Sequence, residues 1–219
     1  MPEADLRRLY RDTRERVAGL LAGMAETALA ANVPACPSWS VRDVLAHLTA
    51  VAEDVVAGRL SGPPTEEETA AQVRRFAGRP VADILERWAG VAPRIEELIG
   101  SARVWPGVID VASHEQDIRG AVGQPGARDS DAIWQGAGWL LSRMRPPVPL
   151  RVVVEDAEFR LGPGTGTPLT LTTTRFEAFR WRMGRRSRDQ LAALGWSGDP
   201  APVLGHLVVF GPATRDVIE

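Results

Sequence analysis

Val108-Ile109-Asp110-Val111-Ala112-Ser113-His114-Glu115-Gln116-Asp117-Ile118-Arg119 reads as a helix that places a carboxylate four residues before a histidine. At about 3.6 residues per turn and about 1.5 Å of rise per residue, Asp110 and His114 share one face, roughly 6 Å apart along the axis. That is the geometry of two ligands for one divalent metal. An acidic residue four before a histidine is common, so the pair takes its meaning from His47, in the middle of an earlier amphipathic helix. The third histidine, His206, lies among apolar residues in Val203–Val208 and reads as a packing or surface residue.

Two imidazoles and a carboxylate from two helices define one face of a coordination sphere and leave positions open for water or substrate. That is the pattern of a catalytic zinc, as distinct from a closed structural site. Imidazole and carboxylate suit zinc best, with nickel, iron, cobalt and manganese compatible. Asp43 lies one turn before His47, and Asp117 three residues after His114. Either can orient a ligand imidazole from behind. Equally, Asp43 can cap its helix and Asp117 can pair with a nearby arginine.

Around these residues the chain is mainly helical. Apolar positions from Ala4 to about Ala31 recur at helical spacing and predict one long amphipathic helix, ended by Pro34 and Pro37. Ser40 caps a second helix to about Leu60, with Asp43 three residues on completing an approximate capping box. Ser61-Gly62-Pro63-Pro64 breaks the pattern, and Thr65 opens a short acidic helix through about Phe76. Pro80 starts a third long helix to about Ile99, and Gly100 to Pro106 reads as a turn before the helix of Asp110 and His114. A further helix covers about Asp129 to Met144. After Arg145-Pro146-Pro147 the period becomes alternating, with strands at Leu150–Glu155, Ala157–Leu161 and Leu169–Thr174, followed by short helices. The glycine-rich run Gly162 to Pro168 lies between strands, leads into no helix and reads as a turn. The expected organisation is a helical bundle over residues 1–146 and a small α+β domain over 147–219, the latter too small to hold much core by itself.

Composition narrows the chemistry. The 219 residues are 44% hydrophobic and 25% charged with a net charge of −2, which points to neither nucleic acid nor an anionic membrane as partner. The basic residues are all arginine, which rules out Schiff-base chemistry and a phosphate-loop lysine. One cysteine, Cys36, allows no intrachain disulfide and no cysteine-built zinc site, and its place in a Pro-rich connector reads as structural. Trp88, Trp105, Trp134 and Trp139 read as core or pocket wall. An acidic start without an apolar leader, and no bilayer-length apolar run, predict a cytoplasmic protein.

Three separated stretches resemble the mycothiol-dependent maleylpyruvate isomerase family of DinB-like metal-binding bundles. Pro37-Ser38-Trp39-Ser40-Val41-Arg42-Asp43-Val44-Leu45-Ala46-His47-Leu48 is similar to its second-helix signature. His114-x-x-Asp117-Ile118-Arg119 resembles its second metal helix, and Phe179-Arg180-Trp181-Arg182-Met183-Gly184-Arg185-Arg186 a Gly-Arg segment of its C-terminal domain. The resemblance implies a DinB-like four-helix bundle followed by a small α+β C-terminal domain, with His47, Asp110 and His114 as metal ligands. The family usually carries glutamate at the position of Asp110. Aspartate is one methylene shorter, which bears on metal affinity and identity.

The resemblance further implies a metal-dependent, mycothiol-dependent isomerase or S-transferase. Its partners would be a small-molecule thiol and an electrophilic substrate, its state a monomer or homodimer. The cation, zinc first, would bind and deprotonate the thiol, and the thiolate would add to an electrophilic carbon. Rotation and elimination make an isomerase; a retained adduct makes a transferase. Arg185 first and Arg182 next would grip a substrate carboxylate. The alternative is a non-catalytic metal- or small-ligand-binding protein of the same fold.

Overall fold

Ser40 ends a short strand and begins the helix that carries His47. Its hydroxyl accepts from the Asp43 backbone N–H at 3.2 Å, and the Asp43 carboxylate accepts from the Ser40 N–H at 2.9 Å, a complete capping box. The computed structural model describes residues 5–60, 62–102 and 104–219. Ala4 of the expected first helix, Ser61 of the expected break and Arg103 of the expected turn lie outside the described residues.

The chain divides into two compact units, residues 1–126 with Glu219, and residues 127–218. In the first, α1 (Leu6–Leu21) is followed by α2 (Glu26–Leu29), the hairpin of β1 (Asn32–Val33) and β2 (Cys36–Ser40), α3 (Val41–Val56), α4 (Glu66–Arg75), α5 (Val81–Ala102) and α6 (Trp105–Ala121). The single long first helix expected to Ala31 is broken. Gly23 takes φ 76°, a left-handed conformation that stops α1, and α2 restarts beyond it. The second helix ends at Val56, ahead of the expected Leu60, with Gly58 at φ 68° just beyond it. The fifth runs to Ala102, so most of the expected turn from Gly100 is helix.

Four of these helices close a bundle in which α1 packs on α5 and α6, and α3 packs on the same two. Val41, Val44, Leu45, Leu48 and Ala52 from α3 meet Ile84, Trp88, Ile95 and Ile99 from α5 in a core buried almost completely. Trp88 is part of this core and donates its indole N–H to the Tyr10 hydroxyl at 3.1 Å. α6 departs from an ordinary amphipathic helix. From Val108 to Ile118 almost every residue is buried, and Ser113, His114, Glu115, Gln116 and Asp117 are consecutive buried polar residues. Such a run is tolerated only where partners compensate each group. The Glu115 carboxylate, fully buried, accepts from Arg16 Nε at 2.9 Å and Arg16 Nη2 at 2.7 Å, and from Arg119 Nε at 3.2 Å.

The second compact unit begins at Ala127 and takes in α7 (Asp131–Ser142), which packs on α8 (Arg175–Arg182) and β4 (Glu158–Leu161). A four-stranded sheet has the order β4 (Glu158–Leu161), β3 (Leu150–Val153), β5 (Leu169–Thr172), β6 (Gly195–Trp196). β3 pairs antiparallel with β4 and parallel with β5. β6 is an addition that two residues are too few to announce. α8 (Arg175–Arg182) and α9 (Arg188–Ala192) complete the unit around its own core of Leu141, Leu150, Val152, Leu171, Trp181 and Leu204. The glycine-rich run is a loop between β4 and β5. His206 is exposed on a short 3-10 turn. The described residues are mainly α, a four-helix bundle followed by a small α+β unit.

Candidate metal centre

α3 and α6 bring His47, Asp110 and His114 together inside the first unit. Asp110 Oδ1 lies 3.5 Å from His114 Nε2 and 3.9 Å from His47 Nε2. The two imidazole centroids are 5.2 Å apart with the rings edge to face, and one donor atom from each of the three residues falls within 4.8 Å of the others. Two ligands bound to zinc at about 2.1 Å and a tetrahedral angle stand roughly 3.4 Å apart. The observed spacings sit close to that value, so the donor set fits a divalent cation even with the shorter aspartate. Both histidines are buried while the Asp110 side chain keeps 33% of its exposure, so the cluster has one open side.

Behind each imidazole stands a polar partner on the side away from Asp110. His47 Nδ1 is 3.1 Å from Gln72 Oε1, and Gln72 Nε2 donates to Asp54 Oδ2 at 2.9 Å. Asp54 in turn accepts from Arg59 Nε at 2.8 Å and contacts Arg75 Nη2 at 2.8 Å. Burial pushes the Asp54 carboxyl up, but the hydrogen bonds from Gln72, Arg59 and Arg75 outweigh it and hold it below the ordinary carboxylate value. His114 Nδ1 lies 3.0 Å from Asp117 Oδ2, in an oblique approach. Asp117 therefore faces an imidazole, while the arginine of its motif, Arg119, serves Glu115. Asp43 takes the other of its two readings. Its described contacts go to Ser40, with the hydroxyl donating to Asp43 Oδ2 at 2.7 Å, and Gln72 stands where an orienting group for His47 was sought.

β2 supplies two more residues at this place. The half-buried Trp39 ring has its centroid 5.0 Å from that of His47 and 6.0 Å from that of His114. Cys36 Sγ is 3.7 Å from Asp117 Oδ2, and Cys36, His114 and Asp117 form a second group of metal-compatible donors. Nearby, burial raises the Tyr10 phenol above its ordinary range; the hydrogen bond from Trp88 opposes the rise and the charge of Asp110 adds to it. Sequence reasoning missed Gln72, Cys36 and the site role of Trp39. Gln72 lies one turn before Phe76 on the buried edge of α4, which only the structure shows.

The two candidate substrate arginines belong to the second unit. Arg182 is buried and donates through Nη1 to the Leu207 carbonyl at 2.6 Å; burial lowers its pKa to about 10. Arg185 is half-buried and donates through Nη1 to the Met183 carbonyl at 2.7 Å. Arg186 is paired with both carboxylate oxygens of Glu177, at 2.9 and 2.6 Å. No helix among the described residues is long and apolar enough to cross a membrane.

Comparison with known proteins bears on what this arrangement belongs to. Among solved structures, a histidine-to-alanine mutant of the mycothiol-dependent maleylpyruvate isomerase matches with a TM-score of 0.58 at 11% identity, over 90% of this chain and 93% of that one. A second structure of the mycothiol-dependent maleylpyruvate isomerase gives a TM-score of 0.56 at 14% identity, over 84% and 90%. At these identities the likeness is one of fold. No curated protein sequence matches the chain. The sequence family described as "Mycothiol maleylpyruvate isomerase N-terminal domain" matches residues 10–121, a stretch that contains α3, α6 and all three clustered donors. With just over half of its length accounted for in this way, the chain belongs to the mycothiol maleylpyruvate isomerase family.

Proposed function

We propose that the protein is a metal-dependent isomerase or S-transferase that uses a low-molecular-weight thiol of the mycothiol kind on a small electrophilic, carboxylate-bearing substrate. The observation that carries this reading is the convergence of His47, Asp110 and His114 on one open-sided point, in a chain of this family. A divalent cation held there, zinc first, supplies a Lewis acid that favours the deprotonated form of a thiol at neutral pH.

The remaining work falls to the chain's own groups. Gln72 holds the His47 imidazole from behind by a hydrogen bond and Asp117 stands behind His114, with both Nε2 atoms on the side of Asp110. Trp39 covers one side of the pair of rings with an apolar surface, which limits water there. Arg185, partly exposed, is assigned to the substrate carboxylate; Arg182, buried against the Leu207 carbonyl, is assigned to supporting that segment.

Elemental analysis of the purified protein, beside a His47→Ala/His114→Ala double variant, tests the metal half of the reading. Near one equivalent in the wild type and its loss in the variant are expected. A panel of electrophiles assayed with mycothiol and with other thiols then tests the catalytic half. Metal binding without turnover on any thiol would reduce the protein to a binding module.

A further inference from the structure

We propose that Gln72 is a positioning residue for His47: it fixes the neutral imidazole with its proton on Nδ1 and its lone pair on Nε2. The inference deepens the metal reading above and rests on it for its consequence, but the tautomer itself follows from a chain of hydrogen bonds.

Asp54 is buried between Arg59 and Arg75, which keep it ionised, and an ionised carboxylate only accepts. The atom of Gln72 that faces Asp54 Oδ2 at 2.9 Å must therefore be the amide nitrogen. The amide oxygen then faces His47, and it too only accepts. At 3.1 Å, in a buried contact, His47 Nδ1 must supply the proton. A neutral imidazole has one N–H, so Nε2 is left with its lone pair, on the side of Asp110 and His114. The orientation of one amide thus passes the constraint of two arginines to a nitrogen they do not touch. The relay is carried by α4, a helix that the bundle does not need for closure, since α1, α3, α5 and α6 already enclose the core. An apolar residue of the same size would fill the space of Gln72 and lose the relay.

The test begins with the metal-free, full-length protein and needs no substitution. Long-range proton–nitrogen correlation of the imidazole groups at mildly alkaline pH resolves tautomers, and with only three histidines the assignment is direct. The expected result is a protonated Nδ1 and an unprotonated Nε2 at His47. A protonated Nε2 overturns the proposal. The second arm compares cobalt affinity of the wild type with that of Gln72→Met by competition with a chromophoric chelator. A fall of about 10- to 100-fold at unchanged stoichiometry is expected, the usual size for loss of an orienting partner. Equal affinity overturns the positioning role. A wild type that takes up no cobalt sinks the metal reading alone, and the tautomer spectrum then decides this inference by itself.

Discussion

Arg16 on α1 and Glu115 on α6 meet as a two-pronged ion pair, at 2.9 and 2.7 Å, with the carboxylate fully buried. Glu115 follows His114 directly, so this pair anchors the turn of α6 that presents the histidine. Arg16→Met leaves the carboxylate in the core with Arg119 as its remaining cation. A loss of about 2–3 kcal/mol in urea unfolding is expected, below the roughly 3–5 kcal/mol of a broken buried pair because Arg119 still compensates. Arg16→Met combined with Glu115→Leu should recover part of that loss, and no recovery would argue against the ion pair as its source.

Removing a ligand should act on the metal far more than on the fold. Asp110→Asn keeps the size of the side chain but removes its charge and exchanges one acceptor oxygen for a donor NH2. Its metal affinity should fall by more than the roughly 10- to 100-fold typical of losing an outer partner, with little change in unfolding midpoint of the metal-free protein. Isothermal titration with zinc, paired with thermal melts of the stripped protein, separates the two effects.

The Asp54 network predicts a pH dependence of stability with a definite sign. Its folded pKa is depressed, so the folded state releases the proton more readily than the unfolded chain does. The resulting stabilisation is present above the unfolded carboxylate value, about 4, and disappears as pH falls through the lower folded value. The stability difference between wild type and Asp54→Asn should be largest near neutrality and shrink below about pH 4. A difference that instead grows in acid would contradict the assignment.

In the second unit, Gly184 closes α8 at φ 76°, where a Cβ would collide with the Gly211 carbonyl oxygen. Gly184→Ala should cost on the order of 2 kcal/mol or more, since both the backbone conformation and the contact oppose a side chain. Denaturant titration followed by near-ultraviolet circular dichroism would read the loss.

The helices that hold the three donors were legible because each carries a strong local signal: a capping box before His47, and an acid-to-histidine spacing inside a long apolar frame at His114. Gln72 was not, because Glu66-Glu67-Glu68 and Arg74-Arg75 make α4 look solvated on every side. Only packing against α3 reveals that one edge of it is dry. Asp43 shows the opposite case. Both of its roles were visible, and a local hydrogen bond to Ser40 three residues away won over a longer reach to His47. The partners of α7 were not legible, because it has the same helical period as the bundle and periodicity does not say which neighbour a helix will choose.

β2 carries the only thiol in the chain at Cys36 and, three positions on, the indole that flanks both histidines. Along a strand that separation is about 10 Å, short enough for an indole to quench a small fluorophore. A single thiol-reactive dye therefore marks this molecule at one place, beside the candidate centre.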